Sequence, residues 1–205
     1  MKRILALVTA LLMAVTVVSC GDKNKTETVE NDAEHVYEMG VFNGNEFDST
    51  WAGVKMTLPE DMHVLSKEDT YMMMGMTLEA IENIDDFEPE KQPVVYELCA
   101  NGEDGSMVVI NTFKSIDAAS KIAGMKAEFD GKANDLLKPV YGEETPVTYG
   151  GVEFTRFDVT ASAPDFVMYQ TYLLKDVDEH VFCISAAAFT EDRVEELLGG
   201  ISQYK

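Results

Sequence analysis

The chain has 205 residues, with 37 acidic against 16 basic side chains and a formal charge of −21. Hydrophobic residues make up 46% of it, which is enough to bury a core. A surface this acidic repels phosphates and anionic lipid headgroups, so nucleic acid is excluded as an expected partner and the folded body is expected to stand off a bilayer.

Met1-Lys2-Arg3 places two positive charges ahead of an uncharged apolar run from Ile4 to Val18. Small Ser19 and then Cys20 follow. A basic start, a short apolar core and a small-residue cleavage site describe a secretory signal over residues 1–19. The run of 15 residues is short of the roughly 20 that span a bilayer. Val17-Val18-Ser19-Cys20 resembles a bacterial lipobox. That resemblance implies a diacylglycerol on the Cys20 thiol and cleavage just before it. Two acyl chains make a stable anchor, since each buried methylene contributes about 0.8 kcal/mol. The mature chain keeps 186 residues, with 14 basic against 37 acidic side chains, a charge of −23.

Residues 20–38 carry the lipidated Cys20 and then a polar, charged stretch with almost nothing to bury. Composition predicts a flexible acidic tether, reaching roughly 25 Å over 18 residues. A single domain is expected over residues 39–205. It opens with Asn43-Gly44-Asn45 as a turn and a half-buried strand over Trp51–Leu58, ended by Pro59. Ser66-Lys67-Glu68-Asp69 reads as a capping box, starting a helix that carries Met72, Met73, Met74 and Met76 and ends by Pro89.

Val94–Ala100 and Met107–Phe113 read as a hairpin joined by the Gly-containing segment 101–105. A second helix is predicted from Ser115 through Phe129, with Ile116, Ala119, Ile122, Ala123 and Phe129 on its inner face and Gly131 as its stop. A hairpin over Val147–Val159 turns at Gly150-Gly151. Phe166–Lys175 is apolar on both sides, which predicts helices over both faces of its centre. Val181–Phe189 is the last expected strand. A final helix capped at Thr190 or Asp192 turns Val194, Leu197, Leu198 and Ile201 inward. About seven strands and three helices without βαβ alternation give an α+β class, a mostly antiparallel sheet with helices packed on it.

The strand ending Leu58-Pro59-Glu60-Asp61-Met62, opened by Trp51 and followed by a helix, antiparallel strands and a C-terminal helix, resembles the PsbP/DcrB-like α/β/α sandwich over about residues 45–204. That resemblance implies an accessory envelope protein with no catalytic set.

The residues themselves offer little chemistry. His35, His63 and His180 share no metal-ligand spacing, and no Gly-x-Ser-x-Gly elbow or phosphate loop is present. No catalytic, metal or cofactor site is therefore expected, and Cys20 is the one assigned site residue. The methionine run suits core packing or an adaptable greasy groove better than Cu(I). Asp85-Asp86, Glu88, Glu90 and Glu143-Glu144 lack the spacing of a calcium loop. Cys99 and Cys183 read equally as a disulfide in an exported compartment or as two buried thiols. Any of Tyr96, Tyr149, Tyr169 and Tyr172 left exposed would mark a contact surface.

The expected function is a non-enzymatic binding or accessory module, held at the cell membrane on its extracytoplasmic face, with an envelope protein or a small ligand as partner. The alternative is an extracytoplasmic hydrolase or metal-dependent enzyme whose site forms only in three dimensions, with His63 or His180 beside carboxylates. A purely structural envelope component is the third.

Overall fold

The computed structural model describes residues 36–73, 92–133 and 138–205. Cys20 and residues 21–35 of the expected tether lie outside these, as do Met74, Met76 and the acidic stretch 85–90. The described residues form twelve strands and three helices. Every strand pair is antiparallel. The class is α+β, as expected.

In chain order the strands are β1 (Val41–Asn43), β2 (Glu46–Ser49), β3 (Val54–Thr57), β4 (Met62–Val64), β5 (Val94–Gly102), β6 (Met107–Lys114), β7 (Lys138–Tyr141), β8 (Thr145–Tyr149), β9 (Val152–Ala163), β10 (Phe166–Val177), β11 (His180–Ala188) and β12 (Ile201–Gln203). The helices are α1 (Lys67–Met73), α2 (Ala118–Lys132) and α3 (Glu191–Leu198). An eight-stranded sheet runs β4-β5-β6-β11-β10-β9-β7, with β8 beside β7 on the same edge of β9. A four-stranded sheet runs β1-β2-β3-β12.

The seven strands expected from sequence are all present, as β3, β5, β6, β8, β9, β10 and β11. The count of seven is corrected by five more, each of three or four residues and too short to show a period. The expectation of helices on both faces of β10 is also corrected. α2 covers one face, where Phe129, Ile122 and Met125 meet Phe157, Tyr172 and Leu174. The small sheet covers the other, where Phe47, Val54, Met56 and Leu58 meet Leu173, Phe182 and Ile184, with α3 beside them. The same alternation along β10 feeds both cores, because successive side chains point to opposite faces.

α2 is rotated from its expected face. Asp117, not Ser115, caps it, accepting from the Ser120 amide at 2.7 Å. Ser115 takes a positive φ of 57° ahead of the helix. Ala118, Lys121, Ile122, Met125 and Phe129 are therefore inside, while Ala119 and Ala123 are exposed. Gly131 does not stop α2, which continues to Lys132. Ser66 caps α1 as expected, accepting from the Asp69 amide at 3.0 Å. Thr190 caps α3, and Ile201 turns inward from β12 rather than from the helix.

At Gly150-Gly151 both φ angles are positive, 54° and 91°. The turn they make lies against β12, where the Gln203 amide donates to the Gly150 carbonyl at 3.0 Å.

Candidate functional site

The sheet and α3 enclose a cleft of about 280 Å³. β9 and β10 supply its floor and the first turns of α3 its wall. Arg156 and Asp158 stand two apart on β9, so they share a face, and Thr171 lies opposite Asp158 on β10. The Arg156 Nε donates to both Asp158 oxygens at 3.0 and 2.9 Å. Its other nitrogens reach the Tyr149 hydroxyl at 2.9 Å, Thr171 Oγ1 at 3.3 Å and the Glu195 carboxylate at 2.7 Å. Thr171 donates to Asp158 at 2.5 Å, and the Tyr149 hydroxyl donates to Glu195 at 2.9 Å. Burial and the bond to Glu195 push the Tyr149 phenol up to about 12, so it stays a donor.

The guanidinium is thus spent inside the network. Asp158 and Glu195 keep 39% and 48% of their side chains exposed, and Glu191 and Asp192 add to the rim. One cation faces four carboxylates, so the cleft offers negative charge on a fixed frame. Arginine suits the role because its planar fork fixes two carboxylates at set angles. The sequence signal for this hub was the pair Arg156 and Asp158 at strand spacing.

A second cluster forms at the other end of β10. Tyr37 stacks on His180 at 5.9 Å and meets Trp51 edge-on at 5.0 Å. The Lys114 ammonium stands 5.2 Å above the Tyr37 ring. Burial, with Lys114 nearby, lowers the His180 pKa and favours the neutral ring. Glu97, thrown inward at the irregularity between Tyr96 and Leu98 of β5, accepts from the Gly40 amide at 2.7 Å, Thr112 Oγ1 at 2.6 Å and the Tyr37 hydroxyl at 3.3 Å. Burial raises its pKa against those bonds. Among the described residues packing is thus already present at Tyr37, two residues before the expected domain start.

His63 is exposed on β4. In register it lies beside Asn101 and so toward Met107, whereas His180 lies opposite Lys114. Seven residues of β6 separate the two ends, about 23 Å at strand rise. The structure does not bring the two histidines together. Among the described residues no group of three or more His, Cys, Asp or Glu is placed to hold a metal ion. Glu143 and Glu144 are exposed, and Glu144 pairs with Lys126 at 2.8 Å. Met72 is 45% exposed.

Cys99 and Cys183 are free and buried. They lie on strands either side of β6, opposite Val109 and Asn111. Two strand spacings put their Cα atoms roughly 10 Å apart, beyond the reach of a disulfide. Burial pushes both thiols up to about 12. Tyr172 is buried, and Tyr96, Tyr149 and Tyr169 are half-buried, so none of the four is an exposed aromatic contact.

No protein-family model matches the sequence, and no curated protein does. Among the solved structures similar to it are two from bacteria. One is LpqN, involved in cell envelope biogenesis of Mycobacterium tuberculosis, at 13% identity, covering 74% of this chain and 83% of that one, with a TM-score of 0.38. The other is the cyanobacterial PsbP protein CyanoP from Synechocystis, at 8% identity, covering 86% of this chain and 99% of that one, with a TM-score of 0.48.

Proposed function

We propose that the chain is a lipoprotein, anchored through acylated Cys20 on the extracytoplasmic face of a cell membrane. It acts there as a non-enzymatic binding module of the envelope. Its partner, an envelope protein or a small ligand, presents a cationic group to the α3 cleft.

The observation that carries the binding reading is the Arg156 hub, which pre-sets Asp158 and Glu195 while leaving their outer edges open. Pre-organised polar groups bind without the cost of ordering themselves. The signal pattern through Cys20 supports the anchor. Among the described residues no helix is long and apolar enough to cross a membrane.

Two experiments test this. Membrane fractionation of the Cys20→Ser variant is expected to find it released; retention with unchanged acyl labelling removes the anchor. Crosslinking in intact cells compares the native chain with the double variant Asp158→Asn, Glu195→Gln, folding being checked by thermal melt. A partner held by the first and lost by the second supports the cleft. The same partners recovered by both would place binding elsewhere.

A further inference from the structure

Tyr37 and Gly40 contact the eight-stranded sheet ahead of β1, and both reach one half-buried carboxylate. Glu97 takes the Tyr37 hydroxyl on one oxygen and the Gly40 amide on the other. The Tyr37 ring fills the recess between Trp51, His180 and Lys114. Gly40 meets Phe47 so closely that a Cβ there would stand 2.2 Å from its Cζ. These contacts hold Tyr37 and Gly40, the two ends of the segment, while Val36 just before it is 71% exposed. The chain enters the body at this corner.

The corner has a fixed relation to the cleft. His180 follows the turn after Val177, so the recess sits at the C-terminal end of β10. The cleft floor uses Tyr169 and Thr171, six to eight residues back along the same strand. At about 3.3 Å per residue the two are roughly 20 to 26 Å apart along β10. The small sheet runs across the strands of the large one instead of along β10. Its β1 edge follows Gly40, and its β12 edge lies on the Gly150 turn.

We propose that Tyr37–Gly40 is a clasp that fixes the entry of the chain at the Val177–His180 end of β10, so that the α3 cleft is turned away from the anchored N terminus; this rests on the anchoring proposed for Cys20. A tether alone would let the body tumble and present any side. The clasp biases that choice by fixing which corner of the body the tether pulls toward the bilayer, since it continues the packed chain four residues ahead of the first strand.

The test uses the full acylated chain in phosphatidylcholine vesicles that carry an acceptor lipid. A donor fluorophore is placed by maleimide on Glu179→Cys, beside the clasp, or on Asp165→Cys, at the opposite end of β10. Cys99 and Cys183, both 1% exposed, stay unlabelled. Energy transfer is expected to be stronger from position 179 than from 165. That difference is expected to be lost in Tyr37→Ala. It is expected to shrink in Glu97→Gln, which keeps the volume and removes the charge-assisted bonds. Faster exchange of the Gly40 amide in Tyr37→Ala, with an unchanged melt, identifies clasp release rather than unfolding. Equal transfer from both positions in the native chain, or a difference that survives Tyr37→Ala, overturns the clasp. Maleimide uptake by Cys20 in the unsubstituted protein, with no flotation on vesicles, overturns the anchor and the orientation with it. Gly40 exchange then still reports whether the strap is locked.

Discussion

Lys121 is the residue whose placement runs most against its chemistry. It is 7% exposed, on the inner face of α2, with its ammonium 3.9 Å from the centre of the Phe113 ring. Burial drives its pKa down to about 8, opposed by Cys183 and Glu128. In the unfolded chain the value returns to about 10.5, so between those values the unfolded state binds more protons. Stability should therefore climb as pH rises from 8 to 10.5, with the full penalty present below 8. Replacing Lys121 by Met is expected to raise stability at pH 7, by up to about 3 kcal/mol. It should also abolish that climb relative to the native protein, read from denaturant melts across the range. A lower stability at pH 7 would mean that the ring contact outweighs desolvation. No periodicity argument places this lysine inside. A charged residue at position 121 adds nothing to an apolar pattern, and the apolar spacing alone points to a face carrying Ala119 and Ala123.

At the scale of elements, the long strands were legible because ten or so residues display their alternation. β5, β6, β9, β10 and β11 all have eight residues or more. β1, β4 and β12 have three each, and three residues carry no period. β12 shows the consequence. Ile201 follows Leu197 and Leu198 at helical spacing, yet Gly199 and Gly200 end the helix and let the chain cross to β3. Close contact with the Gly150 turn then holds β12 in place. A Cβ on Gly150 would stand 2.1 Å from the Ile201 carbonyl oxygen, and the residue's φ is positive. Gly150→Ala is expected to cost at least about 1 kcal/mol. Amide exchange should show the loss first at Gln203, whose amide donates to Gly150. A wild-type melt with full Gln203 protection would show that the two turns are not coupled.

For the molecule as a whole, the central fact is a core shared between two sheets. Phe47 of the small sheet stacks on Phe182 of the large one at 6.4 Å, and both are fully buried. Removing such a ring costs about 3 to 5 kcal/mol. Phe47→Ala should lose that much, and near-ultraviolet and far-ultraviolet signals should still melt together; separate transitions would mean that the sheets fold apart. The cleft was less legible than the fold. Arg156 and Asp158 could be paired from β9 alone, but Tyr149, Thr171 and Glu195 reach them only through the sheet register and the docking of α3. The Glu97 cluster was hidden for the same reason, since its donors come from positions 37, 40 and 112.

The borders of the two sheets have one more consequence. Among the described residues β1, β12 and β4 border their sheets with three residues each, Gln203 of β12 already donating to Gly150, and the β7–β8 border is broken by Gly142 and carries Pro146. Short or proline-marked borders are poor templates for another copy's backbone. Molecules crowded shoulder to shoulder in two dimensions would thus brush past one another instead of zipping into fibres.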